Sequence, residues 1–336
     1  MYLRPRDRAG RLLATRGLAA LVRWLAPWNG LLVLAYHRIG DASVSLHDRD
    51  AWSATAAAFD AQLGFLKRHV DLIGANDLGA ALDDRTGRRV MITFDDGYRD
   101  NYEAAYPVLR SHNLEATFFV STGFLDQPRL SWWDEISWMV RASPRSVVPS
   151  AGWLPEPLPY DEPNRVTTVR ALLRTYKSLS SERTEAFLDF LAEATASGRA
   201  PAAAADGLWM SWDMVRQLRA GGMSVGGHTV HHPVLAALPR SSQRAEIRGC
   251  GRRLADELGE PMRLFSYPVG LPGTYDDDTR ACLSEEGVEF AFSLHGSSGR
   301  LAPDDRLDIP RTSVGPSMSV GDLAAVATLP RRFARW

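Results

Sequence analysis

Val90-Met91-Ile92-Thr93-Phe94-Asp95-Asp96-Gly97 is an apolar run that ends directly in two adjacent carboxylates and a glycine. The run has the length and β-branched content of a buried strand. In parallel α/β folds the C-terminal ends of strands are where ligands bind. Gly97 permits a sharp turn there and a close approach of backbone to a ligand. Two neighbouring carboxylates in a half-buried site are not both cheaply ionised, and a bound cation relieves that conflict. A helix N-cap followed by an acid in the first turn explains the same pair, so the stretch alone leaves both readings open.

Working outward, short apolar runs alternate with helical patterns. Leu31–Tyr36, Ala116–Ser121, Met223–Gly227, Leu264–Tyr267 and Val288–Ser293 read as further strands. Phe59–His69, with Phe59, Leu63 and Leu66 on one face, reads as a helix, as do Asp100–His112, Ser211–Ala220, Ser241–Leu258 and Asp277–Glu286. Repeated β then α predicts an α/β fold with a buried parallel sheet and right-handed crossovers. Arg129–Gly207 breaks the rhythm with a Pro-rich patch, a helical stretch over Arg165–Ala196 and an Ala-rich linker at Ala202–Ala205. It reads as an insertion, residues 129–207, that covers one end of the sheet and shapes an entrance.

Three other strand ends carry chemistry. His228-Thr229-Val230-His231-His232-Pro233 follows Met223–Gly227 and spaces His228 and His232 at i, i+4. That spacing lets two imidazoles reach one cation if the loop turns helically, with His231 pointing elsewhere. One Asp and two His form a first shell for zinc or a similar metal with open positions. Phe265-Ser266-Tyr267-Pro268-Val269-Gly270 offers backbone N–H groups in a tight turn, which can hold an oxyanion or be a plain β-turn. His37, in Ala35-Tyr36-His37-Arg38, ends the first strand and faces the same rim.

Composition narrows the field. The chain has 336 residues, 39 Lys+Arg against 40 Asp+Glu, eight His and two Cys. A net charge of −1 argues against a nucleic-acid partner held by bulk electrostatics. Two Cys exclude a disulfide scaffold or a Cys-built zinc site. All but two of the basic residues are Arg, mostly interleaved with acids, which fits coding bias better than a nucleic-acid patch. Residues 1–28 are the exception: six Arg against Asp7, with leucines, Trp24 and Trp28 between them. A basic amphipathic segment of this kind suits peripheral contact with an anionic membrane surface, or packing on the domain's own surface. It is too short to span a membrane and lacks a clear signal-peptide pattern. The expected location is therefore cytoplasmic, or peripheral at the inner membrane face. The remainder, 29–336, fits one barrel-sized domain.

Together the four strand ends resemble the polysaccharide deacetylases (the NodB-homology fold, carbohydrate esterase family 4). Thr93-Phe94-Asp95-Asp96-Gly97 looks like the family's first motif, and His228-Thr229-Val230-His231-His232 like its second, continuing into Pro233-Val234-Leu235. Ser211-Trp212, Leu218 and Gly222 fit the upstream pattern, so the resemblance runs from about Leu31 to about Arg311. It implies a distorted (β/α)7 TIM-like barrel with a largely helical insertion. It also implies metal-dependent hydrolytic deacetylation of an N-acetylated or O-acetylated sugar, a hydrolase acting on C–N bonds other than peptide bonds. By the resemblance Asp96, His228 and His232 hold a divalent metal, Zn2+ before Co2+, Ni2+ or Fe2+, and Asp95 is the general base. The Tyr36-His37 pair resembles the permuted branch that includes biofilm poly-N-acetylglucosamine deacetylases, where an early His is the general acid. His37 is then the acid candidate, and His295 its competitor.

The sequence also departs from the family pattern. Phe265 stands where the third motif has Arg, Tyr267 precedes Pro268 rather than following it, and Val269 takes the usual Tyr position. The Val269 N–H would still reach an oxyanion, and Arg311, in Ile309-Pro310-Arg311, is the candidate to orient the base. Tyr267, Val269 and Trp133, from Trp132-Trp133-Asp134-Glu135, are assigned to substrate, with core packing the alternative for Trp133. The expected partner is an acetylated sugar, an oligosaccharide or a lipid-linked glycan from glycan or glycolipid biosynthesis. Two rivals stand: an amide hydrolase on a small cyclic or purine-derived substrate, and a catalytically silent carbohydrate-binding protein.

Overall fold

The computed structural model describes residues 28–43, 45–84, 86–161, 164–296 and 305–333. Seven strands carry the fold: β1 (Gly30–Tyr36), β2 (Arg88–Phe94), β3 (Thr117–Val120), β4 (Ser224–Gly227), β5 (Leu264–Ser266), β6 (Phe290–Ser293) and β7 (Ile309–Ser313). Each pairs in parallel with the next, and β7 pairs back onto β1, so the sheet closes into a barrel. Register is continuous around the ring, through Leu32↔Val90, Phe94↔Phe118, Val120↔Gly227, Phe265↔Ala291, Ser293↔Pro310 and Val33↔Arg311. An extra short strand, Asp71–Ile73, lies alongside the first half of β2, outside the ring.

Strand parity divides the core in two. Leu32, Leu34, Val90, Ile92, Phe118 and Val120 belong to the large cluster packed under the helices. Leu31, Val33, Met91, Phe119, Leu264 and Ile309 form the smaller cluster, the barrel interior, closed below by Leu78 and Leu82. Successive side chains on a strand point to opposite faces. The interior parity therefore continues upward as Thr93 on β2 and Asp95 just past its end, Ser266 on β5 and Arg311 on β7, all buried. The barrel is apolar at its base and polar at its upper rim, where every strand ends.

Among the surrounding helices, α1 (Ala56–His69) is capped by the Thr55 hydroxyl and buries Phe59, Leu63 and Leu66 against the barrel. The insertion between β3 and β4 carries three α-helices: α2 (Trp132–Ala142), α3 (Arg165–Ser178) and α4 (Ser181–Thr195). The helical stretch expected over Arg165–Ala196 is thus two helices, because Leu179 and Ser180 take extended backbone between them. The seventh strand escaped the apolar-run pattern. Pro310 and Arg311 interrupt it, and Pro supplies no ladder N–H, yet its neighbours pair on both sides.

The basic segment read over residues 1–28 lies outside the described residues except for Trp28. That tryptophan is not a membrane-facing aromatic: it is buried, and its indole N–H donates to the Ala327 carbonyl at 2.7 Å.

Candidate active site

The Asp95 N–H donates to the Tyr36 carbonyl at 3.0 Å and prolongs the β1–β2 ladder by one step. The chain then turns through two left-handed residues, Asp96 (φ 77°) and Gly97 (φ 89°). A Cβ at Gly97 would sit 3.2–3.3 Å from Val120 and Leu125, so the turn needs glycine for space as well as for φ. This turn sends the two adjacent carboxylates to different partners.

Asp96 meets the histidines. Its Oδ1 lies 3.4 Å from His228 Nε2 and 3.5 Å from His232 Nε2. His228 Nδ1 donates to the Ser266 carbonyl at 2.7 Å, which leaves Nε2 with its lone pair toward Asp96. His232 arrives by an irregular route rather than the helical turn that the spacing suggested. Thr229 (φ 66°) and His232 (φ 54°) are both left-handed, and the Thr229 hydroxyl accepts from the His232 N–H at 2.9 Å. His231 turns outward to Glu246 on α5 (Arg240–Leu258), at 2.8 Å.

The donor set fits a divalent cation. The ligand atoms of Asp96, His228 and His232 all lie within 4.8 Å of one another, and all three residues are buried. Separations of 3.4–3.5 Å are long for charge-assisted hydrogen bonds. They match the edge of a tetrahedron with bonds of ~2.1 Å, which is about 3.4 Å. The electrostatics agree. Burial and repulsion from His228 push His232 down to about 3, keeping it a neutral donor. Burial opposes ionisation of Asp96, but the three surrounding histidines hold its carboxyl below the usual range. Burial also opposes protonation of His228, yet Asp95 and Asp96 draw it upward; the cluster has a place for one positive charge.

Asp95 meets Arg311 instead. The two terminal guanidinium nitrogens donate to Oδ1 and Oδ2, each at 2.7 Å, and Arg311 is fully buried. Burial would raise the Asp95 carboxyl, but Arg311, aided by His228 and His37, holds it far below the usual carboxylate range. Ser266 ties the two halves together. Its hydroxyl accepts from Arg311 at 2.7 Å and donates to Asp95 at 3.2 Å, while its carbonyl holds His228. Sequence reasoning missed Ser266, although its place at the end of a strand on the interior parity was a usable signal.

A cleft of about 410 Å³ opens over this rim, lined by His37, Asp95, Asp96, His228, His232 and Val269 among others. The His37 main chain is fixed on both sides, donating to Ser53 Oγ at 2.9 Å and accepting from Asn101 at 2.6 Å. His295 is not among the lining residues; its Nε2 is 3.1 Å from Asp308. Val269 takes φ 64°, rare for a β-branched residue, and its N–H has no partner among the described residues. Asp96, Thr229, His232 and Val269 all have positive φ, so backbone strain gathers at this rim. Tyr267 lines the cleft with its ring only, since its hydroxyl donates to the Leu307 carbonyl at 2.6 Å. Trp133 is buried, its ring centroid 4.3 Å from that of His232 and its N–H donated to Tyr98 at 2.7 Å. It therefore backs a histidine more than it offers an open stacking face.

The polysaccharide deacetylase family profile matches residues 83–146 and 164–291, more than half of the chain. This chain belongs to the polysaccharide deacetylase family. A 31-residue stretch is 61% identical to YxkH of Bacillus subtilis, which carries a polysaccharide deacetylase name; the match spans 9% of this chain and 11% of that one. The fold is similar to Streptococcus pyogenes deacetylase PplD in complex with acetate (TM-score 0.57, 18% identity, 89% of this chain and 98% of that one). It is also similar to IcaB from Ammonifex degensii (TM-score 0.56, 21% identity, 89% and 97%). The deacetylase barrel is thus the expected (β/α)7 type. Among the described residues, no helix of this deacetylase-family chain is long and apolar enough to cross a membrane.

Proposed function

We propose that this chain hydrolyses the acetyl group of an N-acetylated or O-acetylated sugar with the help of a divalent metal, Zn2+ before Co2+, Ni2+ or Fe2+. One observation carries the reading: Asp96 joins His228 and His232 in a convergent donor set, while the adjacent Asp95 is held apart from it by Arg311. A divalent cation held by those three residues would supply Lewis-acid chemistry to an acyl carbonyl and acidify a water molecule.

The chain's own residues supply the rest. Against burial, Arg311 holds the Asp95 carboxyl far below the usual carboxylate range, so its carboxylate form is favoured and can accept a proton from water at its remaining lone pairs. The same ion pair makes it a weak base, adequate only for a water already made acidic, so base and metal readings support each other. Arg311 and Ser266 orient it. The Val269 N–H, without a partner among the described residues, would donate to a developing oxyanion. His37, on the cleft with both carboxylates, is the group to hand a proton to the leaving amine or alcohol. Members of this family act on acetylated glycans, and PplD was solved with acetate, which supports an acetyl-bearing sugar here.

The test is metal content together with acetate release from N-acetylated sugars by the wild-type chain and by Asp95→Asn. Turnover that disappears in the variant with its metal retained supports the assignment. Full activity in a metal-free preparation would overturn it.

A further inference from the structure

Helix α3 presents Arg170, Leu173, Arg174 and Lys177 to the cleft, at i, i+3, i+4 and i+7. Its other face buries Val169, Leu172 and Tyr176 in the insertion's own core. Three cations thus overlook a pocket whose floor is the Asp95–Asp96 site.

Their partners differ. Arg170 is bound through two nitrogens to Asp50, which lines the same cleft, so its charge is answered. Arg174 has no carboxylate within ion-pair distance among the described residues, in contrast to Arg89, Arg219 and Arg263, each paired to an acid. Lys177 lies over the Trp132 ring, 5.7 Å from its centroid, and has no ion pair within 4.0 Å among the described residues. Facing it is Asp48, half-buried beside Asp50 and Asp134; desolvation, reinforced by those two acids and opposed by the Asp50 N–H, pushes it up to about 7. The wall therefore keeps a positive excess after its internal pairing. Trp132 shelters the Lys177 ammonium in part and strengthens what that charge can do, while Arg174 stays exposed.

We propose that Arg174 and Lys177 form a subsite for an anionic substituent, phosphate or carboxylate, carried by the acetylated sugar. The proposal rests on the deacetylase reading and narrows its substrate class. A cleft of about 410 Å³ has room for a sugar unit together with its substituent. An anion seated on α3 would anchor the sugar with its acetyl group over the Asp96 cluster, and a neutral N-acetylated chain would lack that anchor.

The experiment measures acetate release by the metal-loaded full chain from three probes. These are the neutral methyl glycoside of N-acetylglucosamine, phosphate-bearing N-acetylglucosamine 1-phosphate and carboxylate-bearing N-acetylmuramic acid. One of the anionic probes is expected to exceed the neutral one in kcat/KM, and which one it is identifies the anion. Arg174→Gln and Lys177→Gln, which keep helix propensity, should each reduce that anionic-to-neutral ratio about tenfold, mainly through KM. A ratio unchanged in both variants overturns the subsite, even where the wild type prefers anions, because the metal cluster would then be the anion binder. If no probe releases acetate, the deacetylase reading fails. Calorimetric binding of the same probes then decides the subsite separately: loss of anionic-probe binding in the double variant supports it, and unchanged or absent binding overturns it.

Discussion

Arg311 spans the barrel interior from β7 to grip both oxygens of Asp95 at 2.7 Å, with its guanidinium fully buried. A buried pair of this kind is costly to break from one side, because the survivor is an uncompensated charge. Arg311→Met should therefore lower unfolding stability by about 3–5 kcal/mol. The double variant Arg311→Met/Asp95→Leu should recover much of that loss while remaining inactive. Urea unfolding of the three proteins checks both statements, and a double variant no more stable than the single one would refute the electrostatic account. Asp95→Asn should cut kcat by at least about 10²-fold.

Chelation gives a second test that is independent of any substrate. If Asp96, His228 and His232 hold a cation in the folded state only, a metal concentration of 100 Kd adds about 2.7 kcal/mol of stability. EDTA should then lower the melting temperature of the wild type. His228→Ala and Asp96→Asn should bind less metal by elemental analysis and show no chelator-dependent shift. Equal melting temperatures with and without EDTA, and no metal in the wild type, would remove the metal site.

What the chain disclosed in advance follows from where local rules suffice. Six of the seven barrel strands were legible because Leu31–Tyr36 and its counterparts are short apolar runs, and runs of that kind need no long-range information. β7 was hidden because Pro310 and the polar parity of Arg311 obscure its pattern; Arg311 itself was reached only through resemblance. The Asp-Asp-Gly turn was visible as composition, but which carboxylate goes to which partner depends on positive φ at Asp96 and Gly97. The approach of His232 was misjudged for the same reason, since left-handed Thr229 and His232 leave no periodic trace. Ser266 and the α3 cations are tertiary facts: they matter for what they face, and spacing cannot report that.

Gly97 offers a test of the turn. Alanine there would meet Val120 and Leu125 at 3.2–3.3 Å while holding φ near 89°. The strained backbone and the overpacking together should cost about 1–3 kcal/mol. Because the neighbouring Asp96 carboxylate is aimed by the same turn, metal affinity should fall with stability. An alanine variant with wild-type stability and wild-type metal content would show that the turn does not position Asp96.

His37 and His295 are separated by both rate and pH. His37→Ala should lower kcat by about 10²–10⁴-fold if it is the general acid, whereas His295→Gln should retain most turnover. The pH signature of His295 lies in stability instead. Its hydrogen bond with Asp308 raises it above 6.5, against the effect of burial. Burial would raise Asp308, but hydrogen bonds from His295, Ser293 and Tyr275 prevail and hold it below 3.8. The His295 contribution is complete below pH 6.5 and is lost as pH rises through its raised folded value. The Asp308 contribution is complete above pH 3.8 and is lost as pH falls through its lowered folded value. The stability difference between wild type and His295→Gln should thus be largest between pH 3.8 and 6.5. For this partly exposed pair it should be about 0.5–1 kcal/mol, shrinking as pH rises through the raised His295 value. Thermal unfolding across that range reads the effect directly. A His295→Gln variant that loses turnover while His37→Ala keeps it would exchange the two roles.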